Sequence, residues 1–560
     1  MAAKAVGHEP TLPALDPVHA EIRVLELEPG SPDSPIHCRF HVTTLNDLQF
    51  SYEAMSYAWG NASATGRQLI FLENVEVRVM QNLGDALQRL RRRDESRFLW
   101  VDALCINQAD DEEKTQQVGL MHRIYTQCTQ CAIWLGPLGE IEPADAEDAI
   151  HLLGWVGDGR DEPEFLRDNH HESRRRAAAA ASKAFITLPW WGRIWTVQEA
   201  ILPRQATVYW GPSEISWEWL HRAADRFFDN PGGQMMDEIW DNNAAVDIQS
   251  VVRGLYMTVD EPLFDMLWRW RYRQATDPRD KVYGVLGFRD DISLETVTSC
   301  DYSIDVRTLY EGVTADLIRA GGDLEPLMGR GGEVSEIPGL ASWAVDWHGV
   351  RDDSKRSRSD FWEHHNIWHT RGYTADRGMY GVGEGLRMHD DHTLILQGLK
   401  VDRIKMVEDC QGNMDSGPIG TMFLTGGPRW GRLISRFHEL YPGQLPENWM
   451  SAFLGLITGK LDPSNPDEGP GIGGWMNHIV RPQAVFVTES GRFGLGPRNT
   501  LEGQEVWIVG GSRVPVILNP LSDEGSICDF SFAAECFVYG IMKGEAVEGR
   551  EHLRKDIRVH

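Results

Sequence analysis

Residues 98–136, FLWVDALCINQADDEEKTQQVGLMHRIYTQCTQCAIWLG, decide the fold class of this chain. A short apolar run reaches Asp102, an amphipathic segment follows Asp110, and a second apolar run begins at Cys131. Short apolar runs are typical of strands buried on both faces, and Asp110 is placed to cap the helix between them. Strand, helix and strand predict a βαβ unit, whose ligand-binding loops lie at the carboxyl ends of its parallel strands.

The segments around this unit predict more strands. IRVLELEPG and HCRFHVTTL predict an antiparallel lead-in, YEAMSYAWGN a buried strand, and ATVYWG a further strand after the helix-rich middle. RQLIFLENVEVRVM predicts a hairpin that turns at Glu73 and Asn74, and Asn82 is placed to cap the next helix. The N-terminal part is therefore α/β.

Changes in periodicity predict four regions. We expect a disordered N-terminus (1–20), an α/β domain (21–215), a helical region (216–330) and a β-rich C-terminal domain (331–560). Four or five short strands with Gly turns in the last region predict a small antiparallel barrel or sandwich.

Composition bounds the function. The 560 residues carry a formal charge of −28, which disfavours binding to nucleic acid or to an anionic membrane. We find no apolar run of eighteen residues and no targeting segment, and therefore expect a cytoplasmic protein. The 21 tryptophans must fill cores or a ring-binding site.

Motifs for metal, phosphate and serine chemistry are absent from the sequence. The eight cysteines are scattered, and the C-x-x-C of Cys128 and Cys131 has no second pair, which favours reduced, structural thiols. His365 and His369 have the spacing of a zinc helix but lack its intervening glutamate. We therefore predict no metal site. The sequence also has no Walker A motif and no G-x-S-x-G motif, which disfavours phosphoryl transfer and serine hydrolysis.

Polar and aromatic residues cluster at the ends of the apolar segments. Parallel strands bring their carboxyl ends to one crevice, and a buried carboxylate among tryptophans tends to hold its proton, as a catalytic group can. Each residue alone could equally be structural, for example as a buried acid that accepts hydrogen bonds or as a helix cap. The set comprises Ser56, Tyr57, Trp59, Asp102, Asn107, Gln108, Arg193, Trp195, Gln198 and Glu199.

These residues lie in blocks that resemble the fungal HET domain of heterokaryon incompatibility proteins. The blocks are YEAMSYAWGN, the stretch from Leu99 to Gly136, and RIWTVQEA, in the family's order. The resemblance continues through ATDPRDKVYGVLGF, LASWAVDW and FVYGIMKGEA, and so covers about the whole chain. Ala58 and Asn61 depart from the family pattern, and the missing carboxylate at 61 argues against a role there.

The resemblance implies a cytosolic fungal protein that triggers or executes cell death after non-self recognition. HET domains are thought to be distant relatives of TIR domains, which implies a TIR/flavodoxin-like, mostly parallel sheet. Many TIR domains cleave NAD with the glutamate of a W-x-x-x-E stretch, and Trp195 to Glu199 has that spacing. The partners implied are NAD, other incompatibility proteins or further copies of this chain.

Three hypotheses follow. In the first, NAD is a substrate rather than a cofactor, and Glu199 stabilises an oxocarbenium-like ribose during cleavage of the N-ribosidic bond. Tyr57, Trp59 and Trp195 would then stack on nicotinamide or adenine, Asp102 and Asn107 would bind ribose or orient neighbours, and Arg193 would meet the pyrophosphate. Ser56 would also belong to the substrate-binding site. In the second, the domain is a non-enzymatic interaction module and Glu199 is a structural acid. In the third, the C-terminal β region is a ligand sensor that restrains the first domain.

Overall fold

The computed structural model describes most of the chain. The described residues are 4–5, 11–59, 66–158, 161–167, 171–229, 252, 261–288, 294–297, 300–329, 335–349, 372–377, 387–389, 392–409, 435–442, 452, 455–456, 458–459, 475, 483–522 and 528–560. They divide into two compact units, the first formed by Met1–Ser293 with Thr298–Ser303 and the second by Leu294–Val297 with Ile304–His560.

One mixed sheet organises the first unit. Its order is β1-β6-β5-β3-β2-β7-β4-β8-β9-β10. The strands are β1 (Lys4–Ala5), β2 (Glu21–Leu27), β3 (His37–Thr44), β4 (Glu53–Tyr57), β5 (Arg67–Leu72), β6 (Val75–Met80), β7 (Arg97–Trp100), β8 (Cys131–Gly136), β9 (Ala206–Trp210) and β10 (Ser213–Ser216).

The centre of this sheet confirms the predicted strand–helix–strand unit. β4 lies between β7 and β8 and is parallel to both, and β9 continues the parallel set beside β8. The expectation of a mostly parallel sheet needs correction, because β1–β6, β5–β6, β2–β3, β2–β7 and β9–β10 are antiparallel pairs. Short turns such as those after β5 and β9 can join only antiparallel neighbours. The sheet is therefore mixed, with a parallel centre.

Helices cover the sheet and connect its strands. Asp110 caps α3 as predicted, since its side chain accepts from the backbone N–H groups of Glu112 and Glu113. The single helix expected after it is broken at Leu120 into α3 and α4. The first unit contains α1 (Gln81–Leu90), α2 (Asp102–Cys105), α3 (Asp111–Gly119), α4 (Met121–Gln127), α5 (Pro143–Asp158), α6 (Glu164–Arg167), α7 (Glu172–Ile186), α8 (Thr196–Ile201), α9 (Trp217–Asp229), and the helices Leu263–Trp270 and Asp280–Leu286.

Asn82 does not have its predicted role as a cap. Helix α1 begins one residue earlier, at Gln81, with no side-chain cap. The Asn82 side chain donates to the carbonyl of Ala58 at 2.7 Å and accepts from Nε1 of Trp134 at 2.9 Å. This amide therefore fastens α1 to the ends of β4 and β8.

A barrel-like sheet forms the second unit. The long helix Val306–Gly321 and the sheet share a core that contains Trp343, Trp475 and Trp507. Nine strands lie in the described part of this unit, more than the four or five expected. The expected antiparallel sheet also needs correction, because Cys528–Phe530 pairs parallel with Ile557–Val559. They are β11 (Arg387–His389), β12 (Thr393–Asp409), β13 (Gln483–Thr488), β14 (Phe493–Pro497), β15 (Glu505–Val509), β16 (Val516–Ser522), β17 (Cys528–Glu535), β18 (Phe537–Val538) and β19 (Lys555–Val559).

β12 is the hub of this second sheet. It pairs antiparallel with β11, β13, β15 and β19, and its register shifts near Lys400 and near Ile404. Bulges of this kind bend a strand, so that one strand can serve two parts of a closed sheet.

Two further observations concern membranes and metals. Among the residues placed by the structure, no helix is both long enough and apolar enough to cross a membrane. His365, His369 and Asn61 lie outside the described residues, as do residues 1–3 and 6–10 of the N-terminal segment.

Candidate functional site

Glu199 lies on the short helix α8. A 3₁₀ turn at Pro189–Gly192 precedes this helix, and the backbone N–H of Glu199 donates to the carbonyl of Trp195 at 3.3 Å. Trp195 and Glu199 are therefore one helical turn apart, the arrangement that their spacing predicts. The helix packs near the carboxyl end of β4, so Glu199 is directed toward the parallel centre of the sheet.

A short chain of hydrogen bonds holds the Glu199 carboxylate. Ser56, at the end of β4, donates its hydroxyl hydrogen to Oε2 of Glu199, and the Ser56 oxygen accepts from Nε1 of Trp190 at 2.7 Å. Glu199 is only 3% exposed and Trp190 is fully buried. Within the described chain, Oε1 of Glu199 receives no hydrogen bond, which leaves this oxygen available to a ligand.

Burial raises the pKa of Glu199 to about 7. The loss of hydration is the largest cause, while the positive charge of Arg193 and the Ser56 hydrogen bond lower the pKa and the negative charge of Asp102 raises it. Near neutral pH the carboxyl group is therefore close to half-protonated. A cationic ligand would shift it toward the charged form.

Asp102 is a second carboxylate in the same neighbourhood. It opens α2 just after β7, where Nε1 of Trp59 donates to its Oδ2 at 2.7 Å and the backbone N–H of Ala103 to its Oδ1 at 2.7 Å. The neighbouring Tyr57 hydroxyl also acts to lower the pKa of Asp102. Burial raises the pKa of Asp102 despite these bonds. Burial and the neighbouring carboxylates raise the pKa of Tyr57 far above its ordinary value, so this phenol stays protonated.

Arg193 provides the positive charge of the cluster. Its Nη1 donates to the carbonyl of Tyr57 at 2.5 Å, which fixes the guanidinium beside the end of β4. In the described residues it forms no ion pair within 4.0 Å with Glu199 or Asp102, although its charge lowers the pKa of both. Arg193 is half-buried, so its remaining donors can meet an anion.

Trp195 and Asn107 lie at the margin of this cluster. The Trp195 side chain lies beside Asp280, whose Oδ1 accepts from the Tyr302 hydroxyl at 2.6 Å. Asn107 belongs to the turn before α3, where its Oδ1 accepts from the N–H of Ala109 at 3.2 Å. The structure thus gathers Ser56, Tyr57, Trp59, Asp102, Arg193 and Glu199 into one cluster and places Trp195 and Asn107 beside it. Of the other two predicted residues, Gln108 donates to the carbonyl of Asp102 at 3.1 Å and Gln198 donates to the carbonyl of Gly284 at 2.9 Å.

Two residues at the site were not among those predicted. Trp190 contacts Ser56 across 134 positions of sequence, and Asp280 contacts Trp195. The adjacent Trp190 and Trp191 are conspicuous in the sequence. Their pattern does not predict which of the two indoles donates a hydrogen bond to a hydroxyl group. Asp280 belongs to the block ATDPRDKVYGVLGF. This block is part of the family resemblance, but none of its residues was predicted to lie in the site.

The donor set suits an organic ligand better than a metal ion. No group of three or more His, Cys, Asp or Glu side chains able to hold a metal ion occurs among the residues described. The carboxyl groups of Glu199 and Asp102 can accept hydrogen bonds from hydroxyls, and the guanidinium of Arg193 can contact an anion. The indoles of Trp59 and Trp195 offer faces on which rings can stack. The arrangement can bind and stabilise a cationic sugar derivative.

Comparison with known proteins supports the resemblance to HET proteins. Residues 52–199 match the family described as "Heterokaryon incompatibility protein (HET)". The chain is 25% identical to "Heterokaryon incompatibility protein 6, OR allele" of Neurospora crassa, with 96% of each chain covered. No solved structure matches the chain.

Proposed function

We propose that this protein acts in heterokaryon incompatibility by hydrolysing NAD at its N-ribosidic bond, and that this hydrolysis leads to cell death. The family match and the Neurospora relative support the first part. The second part rests on one observation, the buried Glu199 with a pKa raised to about 7 at the carboxyl end of parallel strands. The TIR-like relationship belongs to this proposal, since the W-x-x-x-E spacing and a parallel sheet centre support it.

The reaction needs little from the protein beyond charge placement. The bond between the anomeric carbon and the nicotinamide nitrogen breaks, and its electron pair neutralises the cationic ring. The ribose becomes oxocarbenium-like, which the ionised Glu199 stabilises. Water then adds to the anomeric carbon and its proton passes to a carboxylate or to solvent. The products are nicotinamide, ADP-ribose and one proton.

The neighbouring groups have defined parts in this proposal. Oε1 of Glu199 accepts from a ribose hydroxyl, since Ser56 occupies Oε2. The indoles of Trp59 and Trp195, both half-buried, offer ring faces to nicotinamide or adenine, and Arg193 contacts the pyrophosphate. Asp102 adds negative charge that favours the oxidised, cationic form of the substrate.

Incubation of the purified protein with NAD tests the proposal. We expect nicotinamide and ADP-ribose to accumulate, and the Glu199→Gln variant to lose at least 100-fold in kcat/KM, or about 2.7 kcal/mol of transition-state stabilisation. Chromatography of the nucleotide products measures both rates.

The matched control is Glu53→Gln on the same strand as Ser56. Glu53 forms a bidentate pair with Arg97, so its loss lowers stability without touching the site. Equal activity of wild type and Glu199→Gln contradicts the proposal. So does inertness of the wild type in monomeric and assembled forms alike, both of which must be assayed because a second copy of the chain could complete the site.

The alternative is a non-enzymatic interaction module in which Glu199 is a structural acid. The closed chain from Trp190 through Ser56 to Glu199 favours it, because all three groups are buried. This alternative predicts that Glu199→Gln lowers the melting temperature by many degrees. A stable but inactive variant supports the enzyme instead.

A further inference from the structure

Residues 271–287 lie against the turn that carries Glu199, residues 192–199. The family match ends at Glu199 itself, so these packing partners come from sequence beyond the matched range. Both segments belong to the first unit of the fold.

Backbone hydrogen bonds join the two segments first. The N–H of Gln274 donates to the carbonyl of Gly192 at 2.6 Å, and the N–H of Ile194 donates to the carbonyl of Gln274 at 3.0 Å. These two bonds form an isolated parallel bridge between Arg193 and Gln274. The irregular backbone before α8 is thereby satisfied and held in one conformation.

Arg273 adds a side-chain anchor beneath this bridge. Its Nη1 donates to the carbonyl of Arg193 at 2.8 Å and to Oγ1 of Thr196, the first residue of α8, at 2.9 Å. Arg273 is completely buried, and its guanidinium lies 4.7 Å from the ring centre of Trp270. A buried charged donor binds its acceptors about twice as strongly as a neutral one.

Close packing completes the contact. Nε2 of Gln198 donates to the carbonyl of Gly284 at 2.9 Å. A Cβ atom added to Gly284 would lie 2.9 Å from Cγ1 of Ile194, so any larger residue there would force the Ile194 side chain to move. The helix Asp280–Leu286 is therefore in contact with α8.

We propose that Arg273 is a positioning residue for Glu199, and that the functional unit of this protein includes residues 271–287 as well as the matched segment. Through the carbonyl of Arg193, Arg273 fixes the guanidinium that bonds Tyr57, and through Thr196 it fixes the start of α8. The proposal deepens the proposed function, since it assigns a support to that site, but its first readout does not depend on catalysis.

Titration of Glu199 in the full-length chain tests the proposal. Carboxyl-labelled glutamate, assigned by difference from Glu199→Gln, gives the midpoint by NMR. We expect a midpoint near 7 in the wild type. In Arg273→Met the turn loosens and water reaches the carboxylate, so the midpoint falls by one pH unit or more. Arg273→Lys restores part of the shift because an ammonium can reach one of the two acceptors.

The control is Arg97→Met. Arg97 is also buried but donates to Glu53 and to the carbonyl of Leu90, away from residues 192–199. The Arg97→Met substitution should lower the melting temperature of the protein and leave the titration midpoint of Glu199 unchanged. A folded Arg273→Met variant with the wild-type midpoint overturns the proposal.

Gly284→Ala decides the matter if Arg273→Met does not fold. The added methyl displaces the side chain of Ile194, which belongs to the same turn, so the midpoint should again fall. An unchanged midpoint overturns the proposal that residues 271–287 belong to the functional unit. Where NAD cleavage is present, kcat should fall at least tenfold in both variants with a smaller change in KM. Absence of cleavage in the wild type would defeat the proposed function while leaving the titration result to stand.

Discussion

Glu199 is buried away from water, and among the residues that the structure places its carboxylate accepts one side-chain hydrogen bond, from Ser56. Ser56 supplies one hydrogen bond and Arg193 a distant positive charge, which together do not compensate for the lost hydration. A structural carboxylate usually receives two or three donors or a close ion pair, which lower its pKa. The pKa of Glu199 is raised instead, which is typical of groups that take part in catalysis.

This raised pKa makes stability depend on pH in a defined direction. Between the ordinary value of 4.5 and about 7, the folded protein holds a proton that the unfolded chain has released. The free energy of unfolding should therefore fall as pH rises through this window, by about 2–3 kcal/mol from this group. Urea unfolding of wild type and Glu199→Gln at pH 5 and pH 8 measures it.

The variant provides the comparison because glutamine does not titrate. Relative to wild type, Glu199→Gln should gain about 2–3 kcal/mol of stability between pH 5 and pH 8. A stability difference that is the same at both pH values would show that Glu199 keeps an ordinary pKa, and the enzyme proposal would lose its main support.

At the residue scale, sequence reasoning succeeded where a side chain sits at a strand end. Tyr57 and Asp102 lie close together because β4 and β7 are parallel neighbours whose carboxyl ends coincide. It could not place Trp190, whose partner lies 134 positions away. Asn107 bonds locally within its own turn, a use of asparagine that competes with ligand binding and that spacing cannot distinguish.

At the scale of elements, the turn between β5 and β6 was predicted correctly and has a strained backbone. Glu73 and Asn74 both have positive φ angles, 51° and 61°. Glu73 is retained there because its side chain accepts from the N–H of Phe40 at 2.6 Å. Asn74 fits because asparagine tolerates the left-handed region better than other residues with a Cβ atom.

Substitutions at Asn74 should follow this geometry. Asn74→Val should destabilise the protein by about 1–2 kcal/mol, since a β-branched residue is strained at positive φ. Asn74→Gly should be neutral or stabilising by up to about 1 kcal/mol. Chemical denaturation measures both, and equal stability of the valine and glycine variants would contradict the assignment of this turn.

Local patterns predicted which segments are strands better than how those strands pair. The parallel centre was predicted from the helical segment that connects β7 to β8, because parallel strands of one sheet need such a crossover connection. The antiparallel outer pairs depend on the order of ten strands across the sheet, which is set by contacts distant in sequence. The break at Leu120 between α3 and α4 left no mark in the apolar spacing.

At the scale of the whole molecule, the two units differ in how far apart in sequence their pairing partners lie. The central strands β4, β7, β8 and β9 all lie within residues 53–210. In the second unit Leu394 of β12 pairs with Val559 of β19, so most of that unit's sequence lies between the two strands. Sequence periodicity indicated a β-rich region there but could not identify a hub strand.

The hub position of β12 bears on the order of folding. A long loop must lose its entropy before β12 and β19 can pair, and chains fold from the N-terminus during synthesis. In pulsed hydrogen exchange during refolding we expect the amides of β4 and β8 to be protected before those of β12 and β19, and simultaneous protection would contradict this order. A nascent chain would then carry an assembled Glu199 site while its second unit is still unfolded. The second unit could not restrain that site during synthesis, so any restraint at that stage would have to come from something other than the second unit.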